Sequence, residues 1–156
     1  GPVRIYSTHL SHLDASTRRP QVDALLAIDA RAPGEGGAWC GGHPEPAAGW
    51  TEGEMPPMPA EAILMGDFNF EWQSPEYAQF VGASTARYGR LNRLGGFVDA
   101  WTAAGRREDE GATIPSGKRI DYCFVSAALA HRVRSARIDS AATGSDHQPL
   151  WIDIDL

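Results

Sequence analysis

The stretch Ile63-Leu64-Met65-Gly66-Asp67-Phe68-Asn69 runs a short apolar segment directly into a carboxylate and an amide two residues apart. An apolar run of this length without polar alternation is the pattern of a strand buried on both faces, inside a sheet that other layers cover. A strand of that kind places whatever follows it rigidly, so Asp67 and Asn69 stand out as groups held at a defined spot. The plainer alternative is an Asx turn that simply ends the strand, since Asp and Asn favour such corners.

The flanking sequence supplies partners for this strand. Val3, Ile5 and Ser7 alternate with Arg4, Tyr6 and Thr8, which predicts a half-buried strand ending at His9. Residues 17–31 carry Val22, Leu25, Leu26 and Ile28 at mostly helical spacing and predict a helix, with Pro20 acceptable only in its first turn. From about Pro33 to Pro59 the chain turns to Gly, Pro, Ala and Glu with no period of either kind, an insertion longer than a compact domain usually carries. Two readings fit its Trp39 and Trp50: packing on the domain surface, or a lid that touches substrate or a membrane. His43 beside them reads as a solvated histidine.

Beyond the central strand, Ser74-Pro75-Glu76 opens a helix with serine as N-cap and proline in the first turn. Phe97 to Trp101 reads as a short element and residues 105–118 as a polar connection. Two strands close the chain. In one, Ile120, Tyr122 and Phe124 alternate with Asp121, Cys123 and Val125; in the other, Leu150, Ile152 and Ile154 alternate with Trp151, Asp153 and Asp155. The sum is a single α/β (α+β) domain over residues 1–156, with five or six strands and about three helices.

Composition narrows the function. With 42% hydrophobic and 22% charged residues over 156 positions, the chain can bury roughly two thirds of its unfolded surface without a metal or disulfide staple. A net charge of −6 leaves no broad basic face, which disfavours duplex DNA as a partner, although fourteen Lys and Arg can still build a local phosphate site. Nothing approaches the roughly 18 apolar residues of a spanning helix, and no leader pattern opens the chain. A soluble protein, cytoplasmic or secreted, is expected. Cys123 reads as a packed core thiol, and Cys40 lies in the Gly-rich insertion. Gly1-Pro2 passes at once into a strand pattern, which reads as a cut edge.

Chemistry-capable residues recur where strands end: Thr8 and His9, Asp67 and Asn69, Asp121, then Ser145, Asp146 and His147. If these strands are neighbours, the groups converge on one sheet edge. Asp67, Asn69 and Asp146 offer hard oxygen ligands suited to Mg²⁺, Mn²⁺ or Ca²⁺ rather than zinc. His9 and His147 can act as acid or base near neutral pH, and Asp121 can orient one imidazole. Together they fit attack of water on a phosphate ester. Taken singly, each has a bland reading: Asp146 caps a turn, Asp121 pairs with Arg119 or Lys118, and His9 is a structural histidine.

In their order, "STHLS", "ILMGDFN", "KRIDYCFVS" and "GSDHQPLWIDI" resemble the endonuclease/exonuclease/phosphatase (DNase I-like) superfamily of metal-dependent phosphoesterases. The resemblance runs from residue 3 to 155. It implies part of a four-layer αββα sandwich, a mixed sheet with flanking helices, and an active site at one end of the packed sheets. It further implies that Asp67 positions or deprotonates the attacking water and shares in metal binding, and that Asn69 donates to the scissile phosphate. Asp146 would help hold the ion, directly or through water. His147, held by Asp121, would contact a phosphate oxygen or act as base. His9 would assist the leaving group, and Ser145 would do no more than support the site from behind.

The same resemblance implies an incomplete set. Family members carry an asparagine and a metal-binding glutamate in a first half, and Glu35, Glu45, Glu52 and Glu54 lie scattered in the Gly/Pro insertion rather than in that context. The chain is therefore expected to be the C-terminal portion of such a domain. An open sheet face should then invite self-association or pairing with a missing N-terminal half. The expected substrate is a phosphate ester: a small phosphodiester, a nucleotide or a lipid headgroup in preference to duplex DNA. The competing expectation is a catalytically incompetent member that binds a phosphate ligand or a protein.

Overall fold

Arg4–His9 (β1) and Ala62–Asp67 (β2) lie side by side and parallel, so the chain between them must cross back over the sheet, and Ala15–Arg31 (α1) makes that return. This computed structural model describes residues 1–37, 44, 45, 47 and 54–156. The readings made for Trp39, Cys40, His43, Trp50 and Glu52 fall outside those residues. After β2 come Pro75–Val81 (α2), a small hairpin of Ser84–Thr85 (β3) and Gly89–Arg90 (β4), then Phe97–Asp99 (β5) running into Ala100–Ala103 (α3). Asp121–Ser126 (β6), Val133–Ile138 (β7) and Leu150–Ile154 (β8) complete the order.

The main sheet has the order β1-β2-β6-β5, parallel between β1 and β2 and antiparallel elsewhere, and β7 and β8 form a separate antiparallel pair. The two faces of β2 and β6 explain the central apolar run. Leu64, Tyr122 and Phe124 point to one side, where Phe68, Phe70, Tyr77, Phe80 and Val22 of α1 close over them. Phe80 and Phe124 stack at 4.8 Å, while Phe68 meets Phe124 edge-on at 5.0 Å. Such pairs add about 0.5–1.5 kcal/mol each beyond the area they bury. Ile63, Cys123 and Val125 point to the other side, against Val133 and Leu150, Ile152 and Ile154 of the second sheet. Burial pushes the Cys123 thiol up to about 12, consistent with a packing role.

Three expectations need correcting. The apolar residues of β1 are not its buried ones: Ile5 is 56% exposed while Arg4 is buried. Ile5 sits opposite Ile63 in register and shares its face, but it stays outside the cluster that Ile63 forms with residues of β7 and β8. Arg4 is tolerated inside because it pairs with Asp29 at 2.9 Å and donates to Asp29 O and Ala60 O. Second, α1 begins at Ala15 with Asp14 as its cap, so Pro20 lies inside the helix rather than in its first turn. Third, the sequence does not predict β7 or the β3–β4 hairpin: "VRSARI" breaks its apolar alternation with two arginines and a serine, and the hairpin strands are two residues each. Among the described residues, no helix is long and apolar enough to cross a membrane.

Candidate active site

Register brings the site together. His9 of β1 lies opposite Asp67 of β2, and Asp67 lies opposite Asp121 of β6, so three adjacent strands deliver an imidazole and two carboxylates at one sheet edge. Gly66 makes the close approach possible: its φ is +142°, and a Cβ there would stand 1.9 Å from Thr8 O. The corner after β2 is fixed by backbone bonds from Leu10 N–H to Asp67 O and from Phe68 N–H to Ile120 O, both 2.9 Å.

Asn69 turns the chain with φ +52°, the one positive value outside glycine among the described residues, in a conformation that asparagine tolerates. Its N–H donates to Asp67 Oδ1 at 2.9 Å, and its Nδ2 donates to Leu10 O at 2.9 Å and Asp67 Oδ2 at 3.2 Å. The Asx turn is therefore present, and it is the device that aims both side chains.

His147 arrives from the segment between β7 and β8. Its N–H donates to Ser145 Oγ at 3.0 Å. Its Nδ1 lies 2.9 Å from Asp121 Oδ2, and its Nε2 faces Asp67 Oδ2 at 3.9 Å. Asp121 does not pair with its basic neighbours, because Arg119 is taken by Asp99 at 2.9 Å and Lys118 by Glu71 at 2.8 Å. Partial burial works against a charged imidazole at His147, but the hydrogen bond and charge of Asp121, joined by Asp67 and Asp146, outweigh it and raise the pKa above the ordinary value. His9 stands at the mouth with its Nε2 3.4 Å from Asp67 Oδ2 and its side chain 73% exposed.

Asp67, Asp121 and His147 have ligating atoms within 4.8 Å of one another, and two of the three are carboxylates, a donor set that fits a hard divalent cation. Asp146 is exposed next to His147 and stands outside this group. A cleft of about 690 Å³ between the two sheets opens at Asp121 and His147 and is walled by Ile63, Met65, Cys123 and Ile152. On the other side of the corner, a more polar hollow of about 550 Å³ touches Asn69, His12, Arg18, Glu71 and Lys118. Sequence reading missed that hollow, since its residues come from three loops and the first turn of α1 without a shared motif.

A family model described as "Endonuclease/Exonuclease/phosphatase family" matches residues 9–147, from the first histidine of the site to the last. Solved structures share the fold. An endonuclease/exonuclease/phosphatase from Bacteroides vulgatus superposes with a TM-score of 0.60 at 19% identity, covering 94% of this chain and 48% of its own. A mannosyl-6-phosphatase from Bacteroides thetaiotaomicron gives 0.55 at 18% identity, with 97% and 51% covered. A further endonuclease/exonuclease/phosphatase family protein of B. thetaiotaomicron gives 0.51 at 17% identity, with 95% and 48% covered. The chain thus spans about half the length of the solved structures it matches. No curated protein sequence matches it.

Proposed function

This chain belongs to the endonuclease/exonuclease/phosphatase family, and from that premise we propose that it carries the hydrolytic residues of a metal-dependent phosphoesterase. The observation that carries this reading is the convergence of His9, Asp67, Asn69, Asp121 and His147 from three neighbouring strands, the corner after β2 and the β7–β8 connection. Asp67 and Asp146 would hold Mg²⁺, Mn²⁺ or Ca²⁺, with Asp121 close by. Such an ion supplies neutralisation of charge on the phosphoryl group.

The chain's own groups do the rest. Asp67 aligns the attacking water and accepts its proton. Asp121 accepts from His147 Nδ1–H, which leaves Nε2 turned toward the phosphate oxygens. Both Nδ2 hydrogens of Asn69 are engaged, so it can donate to the phosphate only by exchanging Asp67 Oδ2 for a phosphate oxygen. His9, exposed at the mouth, protonates the leaving oxygen. The net charge of −6 supports a small phosphodiester, a nucleotide or a lipid headgroup over duplex DNA. Exposed Ile5 and Met65, on the Ile63 face of the main sheet, support pairing of the open inter-sheet face with a second polypeptide or a second copy.

One observation favours a second reading, binding of a phosphate ligand without turnover: both Asp67 oxygens already accept hydrogen bonds from Asn69. The test is hydrolysis of bis(4-nitrophenyl) phosphate and 4-nitrophenyl phosphate with Mg²⁺ or Mn²⁺, beside calorimetric titration of each ion and of inorganic phosphate. It is done on this chain and, where the gene encodes more, on the full-length protein. Metal-stimulated turnover supports the enzyme; phosphate binding with no turnover in either form supports the binding module.

A further inference from the structure

Thr113 lies fully buried in the connection before β6, and its polar atoms reach three segments at once. Its N–H donates to Lys118 O at 2.8 Å, which closes the loop 113–118 on itself. Its carbonyl accepts the Gln148 N–H at 2.8 Å, one residue after His147. Its Oγ1 accepts from two successive N–H groups, Ile120 at 3.1 Å and Asp121 at 3.2 Å.

Topology explains why a side chain is needed here. Strand β5 pairs with β6 only as far as Asp99 opposite Phe124, so it never reaches the head of β6 at Asp121. The Asp121 N–H has no neighbouring strand on that side, and a buried donor without an acceptor is costly. The Thr113 hydroxyl stands in for the absent strand. The same residue's carbonyl anchors the segment that carries His147, so both halves of the Asp121–His147 pair hang from one buried residue.

We propose that Thr113 is a positioning residue for the phosphoesterase site, setting the Asp121 carboxylate and the His147 imidazole in one frame so that Nδ1–H is directed at Asp121. Its catalytic consequence rests on the phosphoesterase reading above; the hydrogen-bonded frame does not.

The test compares Thr113→Val, which keeps shape and removes the acceptor, with Thr113→Ser, which keeps the hydroxyl and removes a methyl. Two signals are read: steady-state kinetics, and the His147 tautomer from long-range ¹H–¹⁵N spectra with chelator present at a pH where the ring is neutral. In the wild type and Thr113→Ser the Nδ1–H form dominates. In Thr113→Val it gives way to a mixture with Nε2–H, and kcat falls about 10–100-fold with little change in KM, the scale typical of losing a group that orients a site. A valine variant with wild-type tautomer and kcat overturns the proposal, as does a serine variant that falls as far as valine, since methyl packing would then be the cause. Should valine prevent folding, Thr113→Cys, with similar volume and a weaker acceptor, must show the same two changes or the proposal fails. If the wild type does not hydrolyse phosphate esters, the functional reading fails while the tautomer still decides the positioning role.

Discussion

Asp99 and Asp67 lie on β5 and β2, with β6 between them, and they are opposites. Asp99 is 1% exposed and saturated: it accepts from Tyr77 Oη at 3.0 Å, Arg119 Nη1 at 2.9 Å and Trp101 N at 2.9 Å. Arg119 is in turn held over the rings of Tyr122 at 4.5 Å and Trp101 at 5.5 Å. Burial, then the nearby Asp99 charge, pushes the Tyr77 phenol well above its ordinary value, so it remains a donor at any physiological pH. Asp67 also accepts two bonds, from Asn69 N at 2.9 Å and Asn69 Nδ2 at 3.2 Å, but its other neighbours are two imidazoles standing off at 3.4 and 3.9 Å at a mouth open to solvent. A carboxylate closed in on every side by buried donors is structure; one that keeps a side facing movable donors at a distance has room for a ligand.

The contrast can be broken in several ways. The largest effect on stability is expected from Asp99→Ala, which strands Arg119 as a buried unpaired charge. A loss of about 3–5 kcal/mol in urea unfolding is expected, whereas Asp67→Asn should change stability by less than about 1 kcal/mol. Equal losses would mean that the two sites are not different in kind. Gly66→Ala comes next: the added Cβ meets Thr8 O, a backbone atom that moves only if β1 and β2 part, so a loss of about 3 kcal/mol is expected from the same measurement. Full stability in that variant would show that the β1–β2 approach is looser than described.

The smallest effect is the dependence on pH. His147 has a raised pKa in the folded state, so the stability it contributes is fully present below its unfolded value near 6.5 and is lost as pH rises through the folded value. In metal-free buffer, the stability difference between wild type and His147→Gln should therefore be widest at mildly acid pH and shrink above neutrality. A difference that widens with rising pH contradicts the Asp121–His147 bond as the source.

The Asp67 side of this contrast had a signature in the sequence and the Asp99 side did not, and the reasons are physical. Asp67 and Asn69 could be found because a buried strand and a polar corner have a local signature, and the family resemblance put His9, Asp121 and His147 in order with them. Thr113 could not: it sits in a polar connection, and its role depends on β5 stopping short of Asp121. The face on which Ile5 lies exposed was misjudged because alternation gives two faces without saying which one the neighbouring layers reach. Strand β7 was lost for a related cause. It is held by pairing with β8 and by Val133 and Ala136 turned inward, with Arg134 and Ser135 between them.

The central claim is that the Asp67 cluster is the hydrolytic site and the Asp99 cluster its scaffold. It is tested most directly by steady-state hydrolysis of bis(4-nitrophenyl) phosphate with Mn²⁺, comparing the wild type with Asp67→Asn and His147→Gln, with thermal melts alongside. The account predicts that each substitution lowers kcat/KM by about 10²–10⁴-fold while the melting curve stays near that of the wild type. Turnover that survives both substitutions, in proteins that remain folded, contradicts it.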